Sequence, residues 1–284
     1  MIKIMADGSA LVSQGPLHMT IAVSKEGIPS PRLAQEGAKK AMELLKTLAD
    51  LLSVIKRRSD TIKRVQGLPS IVQRMIHATQ QMEDPSLTPL AAVAGAVSDE
   101  VANFLEARDG SRIIVNNGGD IALRLRPDET IKVGARLDVQ RQACAYSLVV
   151  TGMMGIGGVA TSGLGGRSFT KGLASAAVAI GQSAVYADAA ATVLGNSTWV
   201  DDPNIDTELA ENLYPDTDIA GQRVVIKVGE IGEEKIREAM ENGLRTASLL
   251  MDKRLIRGGI IALKGRVAWT PNIECRGRNL YVVG

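Results

Sequence analysis

Cysteine and histidine are nearly missing from this sequence, which holds two of each: Cys144 and Cys275, His18 and His77. The cysteines stand far apart without C-x-x-C spacing, which argues against a zinc ribbon or a disulfide framework and leaves buried, inert thiols as the expectation. Two histidines outside any motif supply neither a histidine-based metal centre nor serine–histidine–aspartate chemistry. Aromatic residues, at 3% of the chain, are too few for the stacking platforms that hold single-stranded nucleic acid. An excess of one charge is missing too. Against 31 acidic residues stand 33 lysines and arginines, a net charge of +2, so no nucleic-acid partner is expected. No apolar run is long enough to span a bilayer, and no basic segment followed by an apolar core opens the chain. The expectation is a cytoplasmic protein with no membrane partner.

What is present is an ordinary globular composition. Hydrophobic residues make up 45% and charged residues 23% of 284 positions, enough for a sizeable core, and with no linker in view the reading is one domain over residues 1–284. LHMTIAV at 17–23 alternates like a strand, and Ser30-Pro31 places an N-cap and a first-turn proline before a long helix with apolar positions from Leu33 to Ile55. A second helix covers Ser70 to Met82. Thr88 is expected to cap a third, whose small residues Ala91, Ala94, Gly95 and Val97 imply backbone packed close against a sheet or a ligand. In RIIVNNGGDIALRLR two strands flank Gly118-Gly119, a hairpin signal because glycine accepts positive φ. TIKVGARL and YSLVVTG read as continuing that sheet. SAAVAI reads as a strand, Ser183 as an N-cap, VYADAAATVL as a helix and Gly195 as its C-cap. VVIKV, an amphipathic helix over 233–253, GGIIALKGRVAW and NLYVV complete the order. Hairpins mixed with long helices give an α+β fold of mixed, largely antiparallel sheets.

The spacing that carries chemistry is ADAAAT. Asp188 and Thr192 stand four apart on one helix face, with Cβ atoms about 5–6 Å apart, so carboxylate and hydroxyl oxygens converge. Such hard donors suit magnesium, commonly held by one or two protein carboxylates plus the phosphates of a substrate, and the pair points to a phosphate-bearing ligand. The plainer reading is an aspartate that caps or solvates its helix and a threonine bonded back to a carbonyl.

Four motifs in one order add to this. LAAVAGAVSDE, IVNNGGDI, VATSG and ADAAAT followed by Gly-Asn, over roughly residues 88–196, resemble the succession found in ApbE-like flavin transferases: G-G-x-A-K-G-x-x-V-D, V-x-x-G-G-D, A-T-S-G and A-D-A-x-x-T. The resemblance implies an ApbE-like, T-fold-related architecture. It further implies that Asp188 and Thr192 bind magnesium together with a backbone carbonyl near the first motif. Gly118, Gly119 and Asp120 would contact flavin adenine dinucleotide (FAD) or another flavin nucleotide, and Thr161, Ser162 and Gly163 would approach the flavin or its phosphates. Asp99 matches the aspartate that closes the first motif.

The chain departs from the family pattern in two places. The family's lysine falls at Ala94 and its glycine pair at Leu90 and Ala91, and the segment H-x-x-D-P-x-T-G has no counterpart. GLGGRSFTKG stands there instead. Its glycines and hydroxyls, with Arg167 and Lys171, have the composition of an anion-binding loop; the alternative is a glycine-rich turn with solvated charges. A competing fingerprint, GIGGVA at 155–160 after YSLVV, fits a dinucleotide-binding turn only if a helix follows. The functional expectation is magnesium-dependent binding of a small phosphate-bearing ligand such as a flavin nucleotide, with transfer or hydrolysis at its phosphate. Its alternatives are a binding or regulatory protein that keeps the pocket without the reaction, and an enzyme for an unrelated small anionic substrate. A homo-oligomer is compatible with each.

Overall fold

The computed structural model describes residues 1–135, 146–166 and 168–283. They group into two compact units: Met1–Thr130, Thr151–Ala160 and Gly181–Asp188 form the first, and Ile131–Val150, Thr161–Ile180 and Ala189–Gly284 the second. Helices and mixed, largely antiparallel sheets make the α+β class explicit.

In the first unit the strands Ile2–Ile4, Ala10–Gln14, Leu17–Lys25, Arg112–Asn117, Asp120–Arg124 and the start of Gly158–Ser162 pair in that order, each antiparallel to its neighbour. Alternation decides the two faces of Leu17–Lys25: Leu17, Met19, Ile21 and Val23 are buried, His18 and Thr20 exposed. The helices Pro31–Ala49 and Val93–Glu106 pack on these strands. As expected, Ser30 caps the first of them, its hydroxyl accepting from the Leu33 N–H. That helix stops at Ala49, short of the expected Ile55. Leu51 leaves helical backbone at φ −114° and ψ 15°, and the separate one-turn helix Leu52–Ile55 that follows buries Ile55 and leaves Leu52 exposed. Helix Ser70–Gln81 lies where its period placed it. Thr88 does not cap the next helix: a short 3-10 turn, Pro89–Ala92, comes first, and no hydroxyl closes the end of Val93–Glu106. The expected hairpin is present, with Gly118 and Gly119 at φ 69° and 117° between the paired Asn117 and Asp120.

In the second unit Ala176–Gly181, Gly258–Leu263 and Arg266–Trp269 pair antiparallel. Thr130–Ala135 and Tyr146–Thr151 do not extend the first hairpin's sheet as the sequence led us to expect. They belong to a separate four-stranded sheet with Ile273–Arg276 and Asn279–Val282, in which Asn279–Val282 runs parallel to Tyr146–Thr151. Helix Glu233–Asp252 packs on Gly258–Leu263, where a Cβ at Gly243 would stand 2.9 Å from Ile261 and one at Gly259 2.8 Å from Ala247.

Two expectations resolve here. Cys275 is exposed rather than buried, because its four-residue strand shows three of its positions to solvent; Cys144 lies outside the described residues. GIGGVA leads into the strand Gly158–Ser162 and not into a helix, so no helix N-terminus is available for a pyrophosphate and the dinucleotide fingerprint fails. Among the described residues no helix is long and apolar enough to cross a membrane.

Candidate functional site

The helix Val93–Glu106 begins without a side-chain cap of its own, and it and the helix Ala184–Ser197 each take a carboxylate from the other in the first turn. Asp188, in the helix Ala184–Ser197, accepts the N–H of Gly95 at 2.8 Å through Oδ2, in the first turn of Val93–Glu106. Asp99, in Val93–Glu106, accepts the N–H of Val185 at 2.9 Å through its own Oδ2, in the first turn of Ala184–Ser197. Each acid satisfies an orphan donor and lies at the positive end of the partner helix. Glycine makes this reciprocal clasp possible. A Cβ at Gly95 would collide with the Ala184 carbonyl, one at Gly158 with the backbone joining Ser183 to Ala184, and one at Gly157 with the Gln182 carbonyl. Close packing is therefore present at Gly95, but its partner is the start of a helix and not the expected sheet or ligand.

Beside the clasp, charge is crowded. Burial, and after it the nearby Asp120 carboxylate, push the Asp188 carboxyl well above the usual carboxylate range, against the backbone N–H groups of Gly95 and Ala94, which pull it down. Asp120 ends the glycine turn, and its carbonyl accepts from the Ser98 hydroxyl at 2.9 Å. Asn117, across the turn, is 5% exposed; its Nδ2 reaches the Ala94 carbonyl at 3.5 Å and its Oδ1 has no partner. A buried amide oxygen left unmade costs free energy that a bound cation or donor would recover. Asp188, Asp120, the Ala94 carbonyl and the Asn117 amide are all oxygen donors, the set a hard divalent ion prefers. Thr192 follows Asp188 by one turn on the same helix, and its hydroxyl does not bond back to a carbonyl among the described residues.

Asp99 is fully buried and doubly paired. Arg74 Nη2 approaches its Oδ2 and Arg124 Nη2 its Oδ1, each at 3.2 Å, while Arg74 Nη1 also holds Glu100 at 3.0 Å. Its place in the motif and its helix were legible; its two arginines and the helix start it caps were not. Tyr186 was also missed, its hydroxyl 2.6 Å from His77 Nδ1.

The other expected site residues belong to the second unit. Gly163, at φ 126°, lies against the return strand, where a Cβ would stand 2.7 Å from the Ala174 carbonyl. The next donors of the loop are spent internally: Leu164 N–H on Ala174, Gly165 N–H on Ser175 and Gly166 N–H on Gly163. The N–H of Lys171 goes to Asn196 Oδ1 at 3.0 Å. This loop therefore has side chains, not those backbone groups, to offer an anion. Arg167 lies outside the described residues. Gly195 is no C-cap, since the helix runs on to Ser197. Its carbonyl instead accepts from the Thr198 hydroxyl at 2.6 Å, and that hydroxyl takes the N–H groups of Leu173 and Ala174, each at 2.9 Å.

A family model described as AbpE bacteria matches residues 2–269 of the chain. By sequence, a UPF0280 protein of Methanopyrus kandleri is 30% identical over 174 residues, covering 60% of this chain and 68% of that one. A UPF0280 protein of Methanococcus maripaludis is 34% identical over 173 residues, covering 59% and 68%. Among solved structures, the apo form of the flavinyl transferase ApbE from Pseudomonas stutzeri matches with a TM-score of 0.50 at 14% identity over 95% of each chain, a likeness of fold.

Proposed function

This chain belongs to the family described as AbpE bacteria, and from that premise we propose that it binds magnesium and a phosphate-bearing ligand of the flavin-nucleotide class, with transfer or hydrolysis at the phosphate as its reaction. The observation that carries the reading is the unpartnered Asn117 Oδ1 beside the crowded acids Asp188 and Asp120. Asp188 would hold the ion, with Thr192 a turn further on, the Ala94 carbonyl and the Asn117 amide as further oxygen donors. When bound, magnesium would neutralise phosphate charge, most of what phosphoryl chemistry asks of a protein besides positioning. Gly118 and Gly119 leave room for a nucleotide to approach the backbone beside Asp120. For the second unit we propose that Thr161, Ser162, Gly163, Arg167 and Lys171 meet an anionic ligand through side chains and close backbone contact.

A second reading, tight binding without turnover, is favoured by Ala94 at the family's lysine position and by the missing histidine segment. One experiment separates the two. FAD is titrated into the protein with and without magnesium by flavin fluorescence, and the mixture is chromatographed for released mononucleotide. Magnesium-dependent binding with product, both lost in Asp188→Asn, is the expected result. Binding without product selects the second reading, and no binding in either condition overturns both.

A further inference from the structure

We infer that the first unit carries a second ligand site, for a small zwitterion of the α-amino-acid type, between the Asp7 carboxylate and the Arg112 guanidinium. These two groups, with Asp7 exposed at the rim, line one open pocket of about 90 Å³, floored by Ala22 and Ile114 and walled by Pro29. The register explains the floor: Ala22 pairs with Ile114 and Ser24 with Arg112, while Pro29 pairs with Ser24 from the other side, so all five share one face of three adjacent strands.

The carboxylate is preorganised. Asp7 Oδ1 accepts both the N–H of Ser9 at 3.0 Å and its hydroxyl at 2.7 Å, which leaves Oδ2 free to accept from a ligand. Those two bonds hold the carboxyl below its ordinary range, so it is charged at neutral pH. The turn beneath is fixed by Gly8 at φ 84°, with Gly8 N–H on Met5 and Met5 N–H on Ser9. Arg112 is half-buried and makes no ion pair among the described residues, with Asp7 or with any other acid. Opposite charges that line one cavity without meeting leave a gap. A ligand whose ammonium meets Asp7 and whose carboxylate meets Arg112 as a fork fills it, and the apolar floor between suits a small aliphatic side chain.

The probe is L-leucine, compared with 4-methylpentanoate, which lacks the amine, and 3-methylbutylamine, which lacks the carboxylate, each by ligand-observed NMR. L-leucine is expected to bind and each single-charge analogue to bind at least about tenfold more weakly. Asp7→Asn and Arg112→Gln, with circular dichroism confirming their fold, should each lower L-leucine affinity by about tenfold or more. The site fails if L-leucine does not bind the unaltered protein, if both variants bind it equally well, or if an analogue binds as tightly. Because the flavin titration reads other residues, either result can fail alone.

Discussion

At Asp188 one side chain is asked to cap a helix, lie beside another acid and, on the proposed function, hold a cation. Its carboxyl titrates above the ordinary value in the folded chain. Between the unfolded pKa of about 3.9 and that raised value, the folded state binds more protons than the unfolded one, so the unfolding free energy falls as pH rises. The metal-free protein is therefore expected to lose stability as pH climbs through this window, and Asp188→Asn to flatten that loss. Urea midpoints at a series of pH values check it, and an equally steep profile in the variant would refute the assignment. Magnesium should release a proton on binding and reverse the loss. Asn117→Leu removes an oxygen that has no partner together with the long 3.5 Å bond from Nδ2 to the Ala94 carbonyl; without metal it should change stability by no more than about 1 kcal/mol, while the magnesium-induced rise in Tm shrinks. Gly95→Ala presses a methyl group into the Ala184 carbonyl and should cost about 1–3 kcal/mol or more by denaturant unfolding.

Among elements, the clasp between Val93–Glu106 and Ala184–Ser197 makes the largest demand. Asp99→Ala leaves a helix N–H without its acceptor and takes the buried carboxylate from between Arg74, which keeps Glu100, and Arg124, which keeps Asn103, and a loss of about 1–3 kcal/mol or more is expected; Asp99→Asn, which still accepts from Val185, should lose less. Equal losses by calorimetry would mean that the contribution of Asp99 is its charge and that the Val185 hydrogen bond adds nothing. Thr198→Val keeps the volume but orphans the buried N–H groups of Leu173 and Ala174, and about 2–5 kcal/mol should follow. What the sequence made legible follows the same division. Local signals worked: Ser30-Pro31, the period of Ser70–Gln81, the Gly118-Gly119 turn and the helix that carries Asp188 and Thr192. Long-range ones were hidden, because no local pattern announces that Asp99 will meet Val185 or Asp188 will meet Gly95. Thr88 and Gly195 looked like caps for that reason, since the chain signals a helix end more clearly than what will close it. The strands Ile2–Ile4, Ile28–Pro29 and Ile273–Arg276 were missed as well, being too short to alternate visibly. Of the candidate site, the acids and glycines were readable through family resemblance, whereas the orphan oxygen of Asn117 exists only once the hairpin is laid beside Ala94.

For the whole molecule, the chain changes unit at 130/131, 150/151, 160/161, 180/181 and 188/189, so neither unit is a continuous stretch. A fragment of residues 1–130 keeps Gly95 and Asp99 but lacks Val185, Asp188 and the strand from Gly158, and leaves Arg74 and Arg124 gathered round a buried acid with no helix to cap. It is expected to show poor amide dispersion by NMR, whereas a well-dispersed spectrum would mean that the clasp is dispensable. The same bookkeeping reaches into the cell. A ribosome that has finished residue 130 must add 58 more, 188 minus 130, before Asp188 is made, about 3–12 s at ordinary elongation rates. Until then the start of Val93–Glu106 stays open and Asp99 has no helix to cap, so nascent chains arrested before residue 188 should be cut by protease far faster than those arrested well beyond it.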